Sequence, residues 1–398
     1  MSSSAFPTSL PQYISDMSHD DDSDPSKQLH QTLRESITRN LSSPRRPLLT
    51  HLNADTTWLL SLPYPESAPS KDGRVYYHIL IDPWLRGGQS DVAKFFSQQW
   101  HVEESAVQTI AELEDVVRGI EDVAKGQALL PPPPGGYESS DSEDYEEVVV
   151  EKRRAEMAPP KSTKSPIDVI LVSHEFTDHM HKETLLEAAP SIPVFAATKA
   201  AVAIKSWKHF DSVAEIPRFG GDWRESSTSP LPGWVSVSRV AYPGKDLLYY
   251  HSAVMVTFPS SEPAGGIDGE AEAVIYTPHG ISPSDLAPVA TASPAIKTLA
   301  LLHGLQDIRL GAQLNMGAHN GLKVQRLLGA KYWVGTHDEV KRGGGIVSWF
   351  LDRKKISLKE AIEREKEEKG EDLRGSAVEG LKEVRFEELG NGESLVLE

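Results

Sequence analysis

The sequence predicts an α/β protein, and three observations carry that expectation. Short, nearly uninterrupted apolar runs such as IDVILVSH (Ile167–His174) have the pattern of a strand buried on both faces. Helical stretches separate those runs, and strands alternating with helices give α/β architecture. The chain is 398 residues long and 39% hydrophobic, enough for one large domain with additions or for two domains.

From the amino terminus, residues 1–46 are rich in Ser, Asp and Pro, with acids at Asp20, Asp21, Asp22 and Asp24. They read as a disordered acidic leader with at most one short helix near Gln28–Thr38. It has neither the basic start and apolar core of a secretory signal nor the arginines of a transit peptide. The domain is expected over 47–398. HLNADTTWLLSLP and YYHILIDPW (Tyr76–Trp84) read as two early strands joined by a Pro/Ser/Gly loop. Residues 88–101 and 104–124 read as helical or partly helical. Residues 126–165, with four consecutive prolines and a dense acidic run, read as a flexible insertion. Ser140 and Ser142 lie among acids, as substrates of an acid-directed kinase do, although a plain solvating linker is the favoured reading of the segment.

Beyond the insertion, strands are expected at 167–174, 193–197, 234–240, 248–258, 273–276, 298–302 and 331–335. Helices are expected at 182–189, 200–208 and 321–328. Ser357-Leu-Lys-Glu360 is a capping box opening a charged helix to about Lys369. The tail VRFEELGNGESLVLE reads as a hairpin turning at Asn391-Gly392. No run of ~18 apolar residues is present, so no membrane helix is expected, and a cytoplasmic or nuclear place follows.

Zero cysteines exclude disulfides, thiolate nucleophiles, cysteine zinc sites and iron–sulfur clusters. Any metal must be held by His, Asp or Glu, and 14 histidines are available. The net charge of −17 argues against a general binder of nucleic-acid phosphates.

The densest chemistry is Ser173-His174-Glu175-Phe176-Thr177-Asp178-His179-Met180-His181, just past a buried strand, where α/β sheets present ligands. Imidazoles and carboxylates are the ligands a divalent ion takes when thiolates are absent. This loop resembles the His-x-His-x-Asp-His signature of the metallo-β-lactamase superfamily, with His174, Phe176, Asp178 and His179 on its four named positions. ILIDPWLRGG (Ile79–Gly88), AVIYTPHG (Ala273–Gly280) and GAHNGLKVQRLLGAKYWVGTHDE (Gly317–Glu339) resemble further elements of the same superfamily, in the branch related to sugar-lactone hydrolases.

The resemblance implies a four-layer αββα sandwich with the acidic disordered insertion added. It implies metal ligands among His174, Asp178, His179, His279 and His337. Phe176 cannot ligate, so the first metal position keeps only His174, and His279 stands where the superfamily has a bridging aspartate. A mononuclear site of Asp178, His179, His279 and His337 is therefore expected, holding one divalent ion, with zinc first and iron or manganese also suited. Asp178 and His174 are the expected catalytic pair: Asp178 orienting water or acting as base, His174 donating to the oxyanion or leaving group. His181 and His303 are further candidates, and Glu175 a residue beside the ligands.

The expected function is a metal-dependent hydrolase of a small ester, lactone, thioester or phosphoester. The replaced ligands keep a second reading open, a catalytically degenerate binding or scaffold protein whose acidic segments meet a protein partner. A nuclease is disfavoured by the charge.

Overall fold

The computed structural model describes residues 45–70, 72–90, 95, 97–126, 164–242, 251–260, 269–339, 341–344, 350–369 and 384–398. The leader up to residue 44, the helix near 28–38, the two serines and most of the insertion lie outside the described residues.

Two sheets form the body. The first has seven strands in the order β18-β1-β2-β3-β5-β6-β7. These are β1 (Leu48–His51), β2 (Trp58–Pro63), β3 (Tyr76–Ile81), β5 (Val169–Val172), β6 (Val194–Ala196), β7 (Val213–Glu215) and β18 (Ser394–Val396). The second has six, in the order β17-β14-β11-β10-β9-β8. These are β8 (Ser236–Val240), β9 (Ala253–Pro259), β10 (Ala271–Thr277), β11 (Ile296–His303), β14 (Tyr332–Val334) and β17 (Phe386–Glu387). In each sheet an antiparallel meander leads into parallel strands: β3, β5, β6 and β7 in one, β10, β11, β14 and β17 in the other.

The continuous apolar runs are explained by burial on both faces. Inward residues of the first sheet (Trp58, Ile79, Leu171, Phe195) meet inward residues of the second (Val256, Val274, Leu302, Val334) in one core between the sheets. Leu80, Ile170 and Val194 face the other way, against helix α1 (Ile110–Ala124) and the short α2 (Lys182–Leu185) and α3 (Thr198–Ser206). Outward residues of the second sheet, Met255 and Ile275 among them, pack on α4 (Pro283–Ala290) and α5 (Ala318–Leu328) through Leu286 and Val324. Helices, sheet, sheet, helices: the fold is the four-layer αββα sandwich expected from the sequence. A single core leucine cut to alanine costs about 2–5 kcal/mol in such packing.

Helix boundaries follow local chemistry. Thr109 caps α1 by accepting from Glu112 N, and Ser357 with Glu360 forms the expected capping box at α6 (Leu358–Lys369).

Two expectations are corrected. The described residues within 88–101 are not helical. They carry β4 (Gln98–Trp100), paired with β15 (Arg342–Gly344) as a small ribbon, and Trp100 lies where a Cβ on Gly88 would stand. The tail is not a hairpin. β17 joins the second sheet beside β14, and β18 crosses to the first sheet beside β1, so the turn at Asn391-Gly392 links the two layers. Alternating polarity says that a residue is half buried, but not which sheet buries it. A further antiparallel group, β12 (Gln306–Leu310), β13 (Ala312–Asn315) and β16 (Asp352–Lys355), is too polar to register as strands in sequence.

Candidate metal centre

The site lies at the carboxyl ends of parallel strands. The turn between β1 and β2 brings Asp55, β3 runs into Asp82, and β5 runs into Ser173-His174 and on to Asp178-His179. β10 runs into His279, and β14 into His337. The structure thus gathers all five predicted ligand candidates, His174, Asp178, His179, His279 and His337, none more than 9% exposed. Two of the supporting positions are conformationally costly. Asp82 (φ 45°) and His337 (φ 59°) occupy the left-handed region, worth about 1–3 kcal/mol of strain each. Gly280 (φ 77°) follows His279, and a Cβ there would press on Met316.

Each of the four imidazoles is fixed through Nδ1. His179 Nδ1 donates to Asp82 Oδ2 at 2.7 Å, and His337 Nδ1 donates to Asp55 Oδ1 at 2.9 Å. His279 Nδ1 donates to the Asn315 side-chain oxygen at 2.8 Å. Ser173 Oγ donates to Asp82 Oδ2, so at 2.7 Å it must accept from His174 Nδ1. With Nδ1 protonated in every ring, each neutral imidazole carries its lone pair on Nε2.

Those nitrogens face partners within the cluster. His179 Nε2 is 3.1 Å from His279 Nε2 and 3.7 Å from Asp178 Oδ1, while His337 Nε2 is 3.8 Å from Asp178 Oδ2. Ligands around one tetrahedral ion with bonds near 2.0–2.1 Å stand about 3.3 Å apart, so the spacing fits a metal. Two lone pairs 3.1 Å apart repel, so a proton or a cation lies between His179 Nε2 and His279 Nε2. Two groups have ligand atoms mutually within 4.8 Å: His174, His179 and His279, and Asp178, His179 and His337. His179 is common to both.

The electrostatics separate the residues. Burial pulls His179 down, but Asp178 and Asp82 overcome it and leave its pKa raised. Burial holds His279 well below its ordinary value, helped by His174, His179 and His337. Burial also lowers His337, with Lys341 adding to it against Asp55. Burial opposes ionisation of Asp178, yet Lys341, His179, His337 and His279 outweigh it and hold the carboxyl well below the usual range.

Sequence reasoning missed four supports. Asp55, Asn315 and Lys341 belong to no local motif, and Asp82 was visible only as the Asp-Pro ending a strand. Lys341 Nζ lies 2.6 Å from Asp55 Oδ2 and 3.0 Å from Asp178 Oδ2, with the Trp84 ring centroid at 5.4 Å.

Other candidates lie elsewhere. His181 caps α2 through Thr184 and approaches Glu183. His303 bonds Gly304 O and Asn320 against Trp333. Glu175 pairs with Lys199 at 3.5 Å. Phe176 stacks parallel to His174, ring centroids 6.2 Å apart, and lies 5.7 Å from His279. A cavity of about 320 Å³ beside Thr336 is lined by Glu103, Asp338, Glu339 and Glu388, but by none of the five ligand candidates. Burial pushes Asp338 up to about 6 there.

No family model and no curated protein matches the chain. Solved structures similar to it include an isothiocyanate hydrolase from Delia radicum gut bacteria. It is 12% identical with a TM-score of 0.43, covering 88% of this chain and 99% of that one. A possible metal-dependent hydrolase from Veillonella parvula is 12% identical with a TM-score of 0.41, covering 88% of this chain and 100% of that one. A metallo-β-lactamase-fold protein from Bacillus subtilis is 10% identical with a TM-score of 0.39, covering 88% and 99%. The chain's own sheets and cores define the αββα fold, and its own side chains define the site. Among the described residues, no helix is long and apolar enough to cross a membrane.

Proposed function

We propose that the chain is a metal-dependent hydrolase acting on a small ester, lactone, thioester or phosphoester at one divalent ion. The observation that carries the reading is the convergence of four buried imidazoles, each held through Nδ1 by Ser173, Asp82, Asn315 or Asp55 with neighbouring ring centroids about 5 Å apart. The anchoring alters the expected ligand set. His174 presents a lone pair on Nε2 rather than a hydrogen, which suits ligation better than donation to a leaving group. The ion is therefore placed on His174, His179 and His279, with Asp178 and His337 beside it. Zinc is the first choice for such a nitrogen set.

A divalent ion held there supplies Lewis acidity, which activates water and polarises a carbonyl or phosphoryl group. The chain supplies the rest. Asp178, kept anionic by the Lys341 ammonium, accepts a hydrogen bond from the attacking water and fixes its direction. A carboxylate so depressed is a weak base, so it orients more than it deprotonates. His337, neutral and with Nε2 3.8 Å from Asp178 Oδ2, is the acceptor for the water's proton. Asp178 and His337 are also the most exposed of the five, at 8% and 9%, and mark the side from which substrate arrives.

The test is elemental analysis of the purified full chain beside its His179→Ala variant, followed by hydrolysis assays on ester, lactone, thioester and phosphoester panels with and without chelator. One zinc per wild-type chain, lost in the variant, with chelator-sensitive turnover, is the expected result. A wild-type chain that neither carries an ion nor takes one up overturns it. Phe176, standing at a ligand position, favours the second reading of a degenerate binding protein, for which turnover is absent on every panel.

A further inference from the structure

We propose that the Lys341 ammonium is the resident second cation of this centre, filling a cage that would otherwise take another metal and so limiting the chain to one divalent ion. The proposal rests on the hydrolase reading for its first ion, but the cage stands on its own geometry. The ammonium sits between two carboxylates from different parts of the fold, 2.6 Å from Asp55 Oδ2 and 3.0 Å from Asp178 Oδ2. His337 Nδ1 is 3.4 Å away, and the face of Trp84 closes the far side at 5.4 Å. The Lys341 side chain is 5% exposed, Asp55 is fully buried and Asp178 is nearly so. Two carboxylates buried this closely demand a cation, because an uncompensated buried charge is not tolerated.

The cation present is a covalent one. Two-metal hydrolytic centres place a second ion about 3.5–4 Å from the first, shared through carboxylates. Here Asp178 has that shape. Its Oδ1 faces His179, a ligand of the proposed ion, and its Oδ2 faces the ammonium. Lys341 thus provides the positive charge of a second ion without its open coordination positions. It also ties the site to the surface. Lys341 directly precedes β15, whose partner β4 is bridged through Gln99 to Gln89, and Gln89 bonds Thr177 in the histidine loop.

The experiment is zinc titration of the metal-stripped full chain, with bound zinc counted by elemental analysis after dialysis and thermal stability followed in parallel. Wild type is expected to hold one zinc. Lys341→Met is expected to hold two, with a lower melting temperature when stripped and a larger rise on adding zinc. Lys341→Arg, which keeps the charge, is expected to stay at one. Should Lys341→Met fail to fold, Lys341→Gln, a neutral polar side chain that keeps both cage carboxylates, replaces it. It should also bind a second zinc, with at least roughly tenfold tighter retention than wild type shows for any ion beyond the first. Equal zinc content in wild type and in the folded variants overturns the proposal. Zinc uptake by Lys341→Met with none in wild type leaves the cage assignment standing and sinks the hydrolase reading instead.

Discussion

Two buried aspartates perform the same local task at opposite walls of the site. Asp82, at the end of β3, accepts Nδ1–H from His179, and Asp55, in the turn between β1 and β2, accepts it from His337, at 2.7 and 2.9 Å. Both rings are deeply buried, yet His179 is raised and His337 lowered. The difference lies in what else each wall contains. Asp82 is met by neutral donors, Ser173 N and Ser173 Oγ, and His179 also faces the Asp178 carboxylate. Asp55 shares its charge with the Lys341 ammonium, which stands 3.4 Å from His337 Nδ1. A carboxylate partner alone does not decide how a buried histidine titrates; burial and the other charges around the ring decide it together with that partner.

The strongest way to break this comparison is to remove the ring common to both ligand groups. His179→Ala is expected to weaken zinc retention by at least about 100-fold, read by chelator competition. A smaller loss would show that the Asp55 wall holds the ion by itself. Next comes the anchor. Asp82→Ala leaves His179 Nδ1 and both Ser173 donors, its N–H and its hydroxyl, without their acceptor, and is expected to cost about 3–5 kcal/mol in urea unfolding. Asn315→Ala, which frees only His279, should cost about 1–3 kcal/mol and about tenfold in zinc affinity.

The pH response sharpens the contrast. His179, raised, contributes stability that is fully present below its unfolded value near 6.5 and is lost as pH climbs through its folded value. His279 and His337, lowered, contribute stability present above about 6.5 and lost as pH falls. Outside the site, burial lowers His51 to about 4, which removes up to about 3 kcal/mol as pH falls from 6.5 to 4. The stripped protein should therefore melt at lower temperature at pH 5 than at pH 7. Zinc affinity should rise with pH, since protons compete with the ion for the imidazole nitrogens. In Lys341→Met, the ring-proton titration of His337 should move upward, towards the behaviour of His179. The smallest effect is expected from Thr56→Val, which removes the hydroxyl bond to Asp178 O and should cost about 1 kcal/mol.

How far the sequence revealed these walls differs between them. The Asp82 wall was largely legible, because β3, β5 and the loop from Ser173 to His179 are continuous runs whose residue types state their chemistry. The Asp55 wall was not. Asp55 and Lys341 are 286 positions apart, and single charged residues in polar loops carry no periodic signal. Their meeting depends on how the two sheets stack. The positions of the buried strands were legible from apolar runs, whereas β12, β13 and β16, polar at most positions, were invisible, and with β13 went Asn315. The tail was read as locally paired because a turn at Asn391-Gly392 looks the same whether it joins two neighbours or two layers.

That crossing tail also bears on the order in which the protein can be built. β18 pairs with β1, and Thr50 bonds Ser394, 344 positions later. Gly392 N bonds His51 O, at the start of the turn that carries Asp55. A growing chain would therefore reach the ribosome exit with β1 still lacking its outer neighbour, an open edge available to other strands. Only after the last strand emerges is the turn holding Asp55 clamped, so metal taken up during synthesis would meet the Asp82 wall before the other exists.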